Sequence, residues 1–130
     1  MSDLLVDSSV WIDFFRGAPN VVRRMDAALE QDRVAVCGPI VAEVLSGART
    51  RADLARVKAA FEGVEMLPDP VDAWPRVGEA RFALARRGTQ AALIDVLIAL
   101  TAADANHALL TRDSDFRRIA AVVPVELQKI

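Results

Sequence analysis

Short, wholly apolar runs alternate along this chain with longer stretches in which apolar residues recur every three or four positions. Leu4-Leu5-Val6 suits a buried strand, and Asp7-Ser8-Ser9 ends it. Ser8 or Ser9 is then placed to cap a helix through Val10-Trp11-Ile12-Asp13-Phe14-Phe15, stopped by Gly17 and Pro19. Asn20 is the expected N-cap of a second helix, with Val21, Val22, Met25, Ala28 and Leu29 at helical spacing. Val34 to Cys37 is strand-like. Pro39 fits the first turn of a helix that runs through Leu45 and stops near Gly47.

The alternation continues. Ala52 to Phe61 reads as an amphipathic helix with Leu54, Val57 and Phe61 on one face, and Val64-Glu65-Met66-Leu67 as a brief strand before Pro68. A long helix is expected from about Val71 to Arg87, ended by Gly88; the Trp74-Pro75 pair fits its first turn. Ile94 or Asp95 opens a strongly apolar helix reaching about Asn106. Ala108 to Thr111 and Val122 to Glu126 read as the last two strands. Strands alternating with helices predict a three-layer α/β/α sandwich with a mostly parallel central sheet. No linker, repeat or low-complexity segment interrupts residues 1–130, which read as one domain. Ligands in such folds bind outside the carboxyl ends of the strands.

Composition adds less. The apolar share is 53%, above the usual range, which fits either self-association and a partner groove or a core swollen by alanine. Cys37 is the only cysteine, so neither an internal disulfide nor a cysteine metal cluster can form, and a reducing cytosol suits it. With no basic N-terminal region and no apolar stretch of membrane-spanning length, a soluble, cytoplasmic protein is expected. The net charge of −2 argues weakly against nucleic acid. Against that stand 14 arginines and only 2 lysines. Arginine grips phosphate bidentately and stacks on bases, although codon bias in a GC-rich genome gives the same excess.

The chemistry is in the acids. Asp26, Glu30, Asp32, Asp53, Glu62 and Asp72 sit among polar groups and need no special role. Asp7 interrupts two apolar runs with only serines beside it, Glu43 is the only charge between Pro39 and Leu45, and Asp95 is the only polar residue from Ala91 to Leu100. A fourth acid follows the strand ending at Thr111, in Thr111-Arg112-Asp113-Ser114-Asp115-Phe116. An ionised carboxylate in apolar surroundings is costly unless paired or bound to a cation, and no basic residue lies within the first three stretches. Asp7 and Asp113 fall at strand carboxyl ends, Asp95 near a helix start, and Glu43 one turn into its helix, so all four can face one crevice. Such a cluster calls for a multivalent cation. With oxygen ligands and a single histidine in the chain, Mg²⁺ or Mn²⁺ fits and zinc does not. Two such ions about 3.5–4 Å apart perform phosphodiester chemistry. Taken singly, Asp7 and Asp95 could be plain helix caps, Glu43 could pair with a buried arginine, and Asp113 or Asp115 could form an Asx-turn.

Leu5-Val6-Asp7-Ser8-Ser9, Glu43 after its apolar run, Asp95-Val96-Leu97-Ile98-Ala99 and Thr111-Arg112-Asp113-Ser114-Asp115-Phe116, in that order, resemble the PIN-domain family, and more closely the VapC toxins of toxin–antitoxin pairs. The resemblance spans essentially the whole chain. It implies that Asp7, Glu43, Asp95 and Asp113 are the catalytic, metal-binding acids. Which of Asp113 and Asp115 takes the fourth place stays open, Asp115 otherwise being a fifth ligand or a group just behind the ligands, and Ser9 and Thr111 are hydroxyls that orient ligands or water. It further implies Mg²⁺- or Mn²⁺-dependent cleavage of structured RNA such as tRNA or rRNA, a small antitoxin partner lying over the cleft, and a homodimer. Arg16, Arg112, Arg117 and Arg118 lie where they could touch phosphate or serve as solvated surface charge. His107 suits a helix-end role better than catalysis, and Trp11, Phe14 and Phe15 suit the core or a partner groove.

Four rival readings stand beside this one. A phosphate-accepting receiver domain wants an adjacent acidic pair early and a lysine late, whereas Asp7 is followed by serines and Lys129 lies at the terminus. An aspartate-nucleophile phosphatase wants a second Asp where Ser9 stands. A non-catalytic module keeping an acidic pocket for a partner's arginine, or a related metal-dependent DNase, differs only in what it does with the same acids.

Overall fold

Strands buried on both faces must be apolar throughout, and the three central runs are. The computed structural model describes all 130 residues. β1 (Leu4–Val6) leads into α1 (Ser8–Phe15) and α2 (Pro19–Glu30), and β2 (Val34–Cys37) into α3 (Gly38–Ser46) and α4 (Arg51–Phe61). β3 (Glu65–Leu67) is followed by α5 (Ala73–Arg86) and α6 (Leu93–Asp104), then β4 (Ala108–Leu110), α7 (Phe116–Ile119) and β5 (Leu127–Gln128). The five strands form one sheet in the order β3-β2-β1-β4-β5, and every pairing is parallel. The expected sandwich is therefore present, with a sheet that is wholly rather than mostly parallel. Every residue of β1, β2 and β4 is buried, whereas β3, at the edge, exposes Glu65 and Met66.

One apolar cluster of 32 buried residues joins the sheet to its helices. α6 buries Val96 through Ala102 without a break, as a helix apolar on all sides must. Trp11 is the largest anchor. It is fully buried, packs edge-on against Phe14 and Phe61, stacks on Phe15, and donates its indole N–H to the Val6 carbonyl at 3.1 Å. Trp11 is thus core packing, while Phe14 and Phe15 pack against it half-buried.

Several boundaries differ from the sequence expectation. Ser8 and Ser9 do not cap α1; both lie inside it, and the Asp7 carbonyl accepts from the Val10 and Trp11 N–H groups. Pro19, preset to helical φ and without an N–H to satisfy, begins α2 in place of an Asn20 cap. α5 starts at Ala73 because Asp72 takes a left-handed conformation, φ 54°, and α6 opens at Leu93. The last strand is Leu127–Gln128 instead of Val122 to Glu126. Pro124 cannot donate to a ladder, and Val123 and Val125 plug the core from an irregular segment. Only from the Glu126 carbonyl onward, which accepts from Leu109 N–H at 2.8 Å, does the chain pair with β4.

Candidate active site at the carboxyl edge of the sheet

From β1 the chain winds outward through β2 to β3, then returns to place β4 on the other side of β1. The reversal opens a crevice between the carboxyl ends of β1 and β4, the place where doubly wound folds bind ligands. Asp7 leaves β1 there. Its N–H donates to the Leu110 carbonyl at 2.9 Å, so it is held by the ladder itself.

The Asp7 side chain is buried, 4% exposed, and does not cap α1. Its Oδ2 accepts from Ser9 Oγ and from Thr111 Oγ1, both at 2.8 Å. Each hydroxyl is used twice: Thr111 Oγ1 also accepts from Asp113 N–H at 3.0 Å, and Ser9 Oγ from Arg112 N–H at 3.1 Å. Two hydroxyls therefore tie the Asp7 carboxylate to the turn that carries Asp113. Asp113 Oδ1 in turn accepts from Asp115 N–H at 2.9 Å, the Asx-turn weighed above. That turn holds the backbone while leaving lone pairs on both carboxylates.

The other acids arrive from helices. Asp95 is the third residue of α6, where unpaired N–H groups favour negative charge, and makes no capping bond. Burial, followed by the charges of Asp113, Asp7 and Asp115, pushes its carboxyl up to about 6. Glu43, six residues into α3 and more open to solvent, is also raised, by burial and then by Asp7 and Asp95, with the Ser8 hydroxyl pulling the other way. The four acids from four segments therefore share one field, and Asp113 weighs more heavily on Asp95 than Asp115 does. None of the five ion pairs in the structure involves any of them. Glu43 has no buried arginine, and the pairing once open for it does not occur.

The donors are all oxygen, two of the carboxyls are raised by burial and mutual repulsion, and no basic side chain neutralises them. That chemistry fits a hard divalent cation, which oxygen donors suit and whose charge would lower both carboxyls and balance the cluster. As the side chains stand, no three His, Cys, Asp or Glu groups are close enough to chelate an ion.

Around the acids, Arg112 is engaged by Asp13 at 3.3 Å. A crevice of about 220 Å³ beside Asp95 is walled by Thr89, Gln90, Asp115 and Arg118. Thr89 and Gln90 had given no sign in the sequence, since polar residues after a helix-ending glycine look like any loop. His107 lies at the opposite edge of the sheet; its ring meets the Ala105 carbonyl and Ser2 Oγ, each at 2.8 Å. It thus closes the end of α6, as expected, and takes no part in the site. On another face, an apolar groove of about 400 Å³ lies between α1, α3 and α4, with Phe15, Val44 and Val57 in its floor and Arg16, Arg49 and Arg56 at its rim.

The family model for the PIN domain matches residues 4–122 of this chain. Ribonuclease VapC11 of Mycobacterium tuberculosis (strain ATCC 25618 / H37Rv) is 31% identical over 130 residues, 95% of this chain and 96% of that protein. Ribonuclease VapC5 of the same strain is 31% identical over 132 residues, 97% and 94% of the two chains. Among solved structures, the toxin–antitoxin complex VapBC-5 from Mycobacterium tuberculosis contains a chain 28% identical with a TM-score of 0.68, covering 97% of both. VapBC2 from Rickettsia felis, bound to a DNA fragment from its promoter, reaches a TM-score of 0.80 at 16% identity and 98% coverage of both chains, a likeness of fold alone.

Proposed function

This chain belongs to the PIN-domain family and to its VapC ribonucleases, and from that premise we propose that it is the toxin of a toxin–antitoxin pair, a Mg²⁺- or Mn²⁺-dependent endoribonuclease acting on structured RNA such as tRNA or rRNA. The observation that carries the proposal is the crevice at β1 and β4, where Asp7, Glu43, Asp95 and Asp113 share a field that no basic residue cancels.

Those four acids would hold the cation, with Asp115 beside them. When bound, Mg²⁺ or Mn²⁺ supplies an activated water and charge stabilisation for a departing oxygen. The chain's own part is positioning and proton handling. Ser9 and Thr111 fix the Asp7 carboxylate through two hydrogen bonds, so its orientation does not depend on the ligand. Glu43, its carboxyl raised by burial and by Asp7 and Asp95, is suited to accept a proton from the attacking water. The 3′ oxygen then leaves, giving a 5′-phosphate and a 3′-hydroxyl.

Two further faces support the proposed partners. The arginine-rimmed apolar groove suits an amphipathic, acidic segment of a small antitoxin. The exposed Val71, Trp74 and Phe82, at and along α5, suit a second copy in a homodimer. No helix is long and apolar enough to cross a membrane.

The chemistry is tested on total RNA incubated with the partner-free protein and Mg²⁺, with the ends of the fragments identified. Discrete fragments with 5′-phosphates are expected. Ends bearing 2′,3′-cyclic phosphate would mean the ribose hydroxyl is the nucleophile and the proposed mechanism is wrong.

A further inference from the structure

Of the cations near the acids, Arg112 is spent on Asp13, and Arg117 does not line the crevice. Arg118 differs. It forms part of the crevice wall together with Asp95 and Asp115, yet lies in no ion pair with either. It is also exposed, on the short α7 that follows the acid-bearing turn. A free guanidinium and free carboxylates in one small cavity fit a ligand that can satisfy both signs. A polynucleotide strand does so: one phosphate faces the acids through a divalent cation, and a neighbouring phosphate meets the arginine. Of the remaining wall, Ala91, Ala92 and Ile119 are apolar, while Thr89 and Gln90 offer a hydroxyl and an amide suited to base edges. At about 220 Å³, the cavity has room for one base and none for a base pair.

Building on the ribonuclease reading, we propose that Arg118 is a substrate-binding residue that holds a phosphate flanking the scissile bond, and that the crevice it shares with Gln90 admits only an unpaired nucleotide. Arg117, one position away on the same helix and equally charged, has no such role.

The test compares wild type, Arg118→Ala, Arg118→Lys and Arg117→Ala. The probe is a labelled, mixed-sequence single-stranded RNA pool in Mg²⁺, with the same pool annealed to its complement as a second arm. Binding is read as a function of salt, and cleavage as KM and kcat. Arg118→Ala is expected to raise KM roughly tenfold at little cost in kcat, the size of one lost charged hydrogen-bonded contact. It should also lower the slope of log affinity against log salt by about 0.7, the value for one phosphate of a single strand. Arg118→Lys restores the slope but not the full affinity, since lysine cannot grip bidentately. Arg117→Ala leaves KM and the salt slope unchanged, and binding of the duplex arm is the same in wild type and Arg118→Ala.

Equal effects of Arg118→Ala and Arg117→Ala, or an unchanged salt slope, would overturn the inference while leaving the ribonuclease reading intact. Arg118-dependent binding without any cleavage would overturn the reading and leave the clamp. A wild type that neither binds nor cuts the pool would overturn both.

Discussion

At Asp95, burial and three carboxylates act in the same direction, and the consequence is a dependence of stability on pH. The folded carboxyl titrates at about 6, against 3.8 for the ordinary aspartate. Between those values the folded chain binds more protons than the unfolded one, so stability falls as pH rises from about 4 to about 6 and stays lower above. Because the group is only partly buried, the effect is discounted to on the order of 1–2 kcal/mol. Asp95→Asn should remove this slope and raise the melting temperature at pH 7 in EDTA, which a thermal scan at pH 4.5 and pH 7 checks. An unchanged slope would place the raised group elsewhere. Thr111 makes a second case. Thr111→Val keeps the shape, removes one hydrogen bond to Asp7 and leaves the Asp113 N–H without its acceptor. A loss of roughly 1–3 kcal/mol is expected in urea unfolding, with activity falling more than stability alone accounts for. Asp7, Glu43 and Asp95 stood out in the sequence because each stands alone in an apolar run, where its cost is visible; Asp113 stood out only by following a strand. Gln90 did not, and Arg118 could not be told apart from Arg16, Arg112 and Arg117, because an exposed polar side chain costs nothing wherever it points.

At the scale of elements, what could be read was what burial dictates. β1, β2 and β4 are short apolar runs because both faces are covered, and the unbroken apolar run of α6 follows from its enclosure. Element ends depend on single backbone groups, and there the sequence was ambiguous. Asp7, Ser8 and Ser9 are all competent caps; the structure uses the Asp7 backbone and reserves the three polar side chains for the site. Val122 to Glu126 has the apolar content of a strand, but Pro124 in its middle keeps it off the ladder. Thr50, not singled out in the sequence, does cap α4, accepting from Asp53 N–H at 3.0 Å. Thr50→Ala should cost about 1 kcal/mol in urea unfolding while leaving RNA cleavage unchanged, since α4 carries none of the acids. Cleavage lost along with that small destabilisation would mean that α4 shapes the substrate path.

At the scale of the whole molecule, the strand order explains why four acids distant in sequence can share one field. The reversal between β1 and β4 brings the ends of both strands to one crevice, and the helices behind them, α3 and α6, add Glu43 and Asp95. The apolar groove between α1, α3 and α4 is separate, so a partner could bind there with its own contacts and still reach the crevice. The central claim is that these acids together carry metal-dependent RNA cleavage. It is tested most directly by the cleavage of total RNA by purified, partner-free protein in Mg²⁺, in Mn²⁺ and in EDTA, run beside Asp7→Ala and Asp95→Ala. Discrete cuts that require the metal are expected, falling by at least about a hundredfold in both variants, each of which still melts cooperatively. Cuts that persist in EDTA, or in either variant at the wild-type rate, would contradict it.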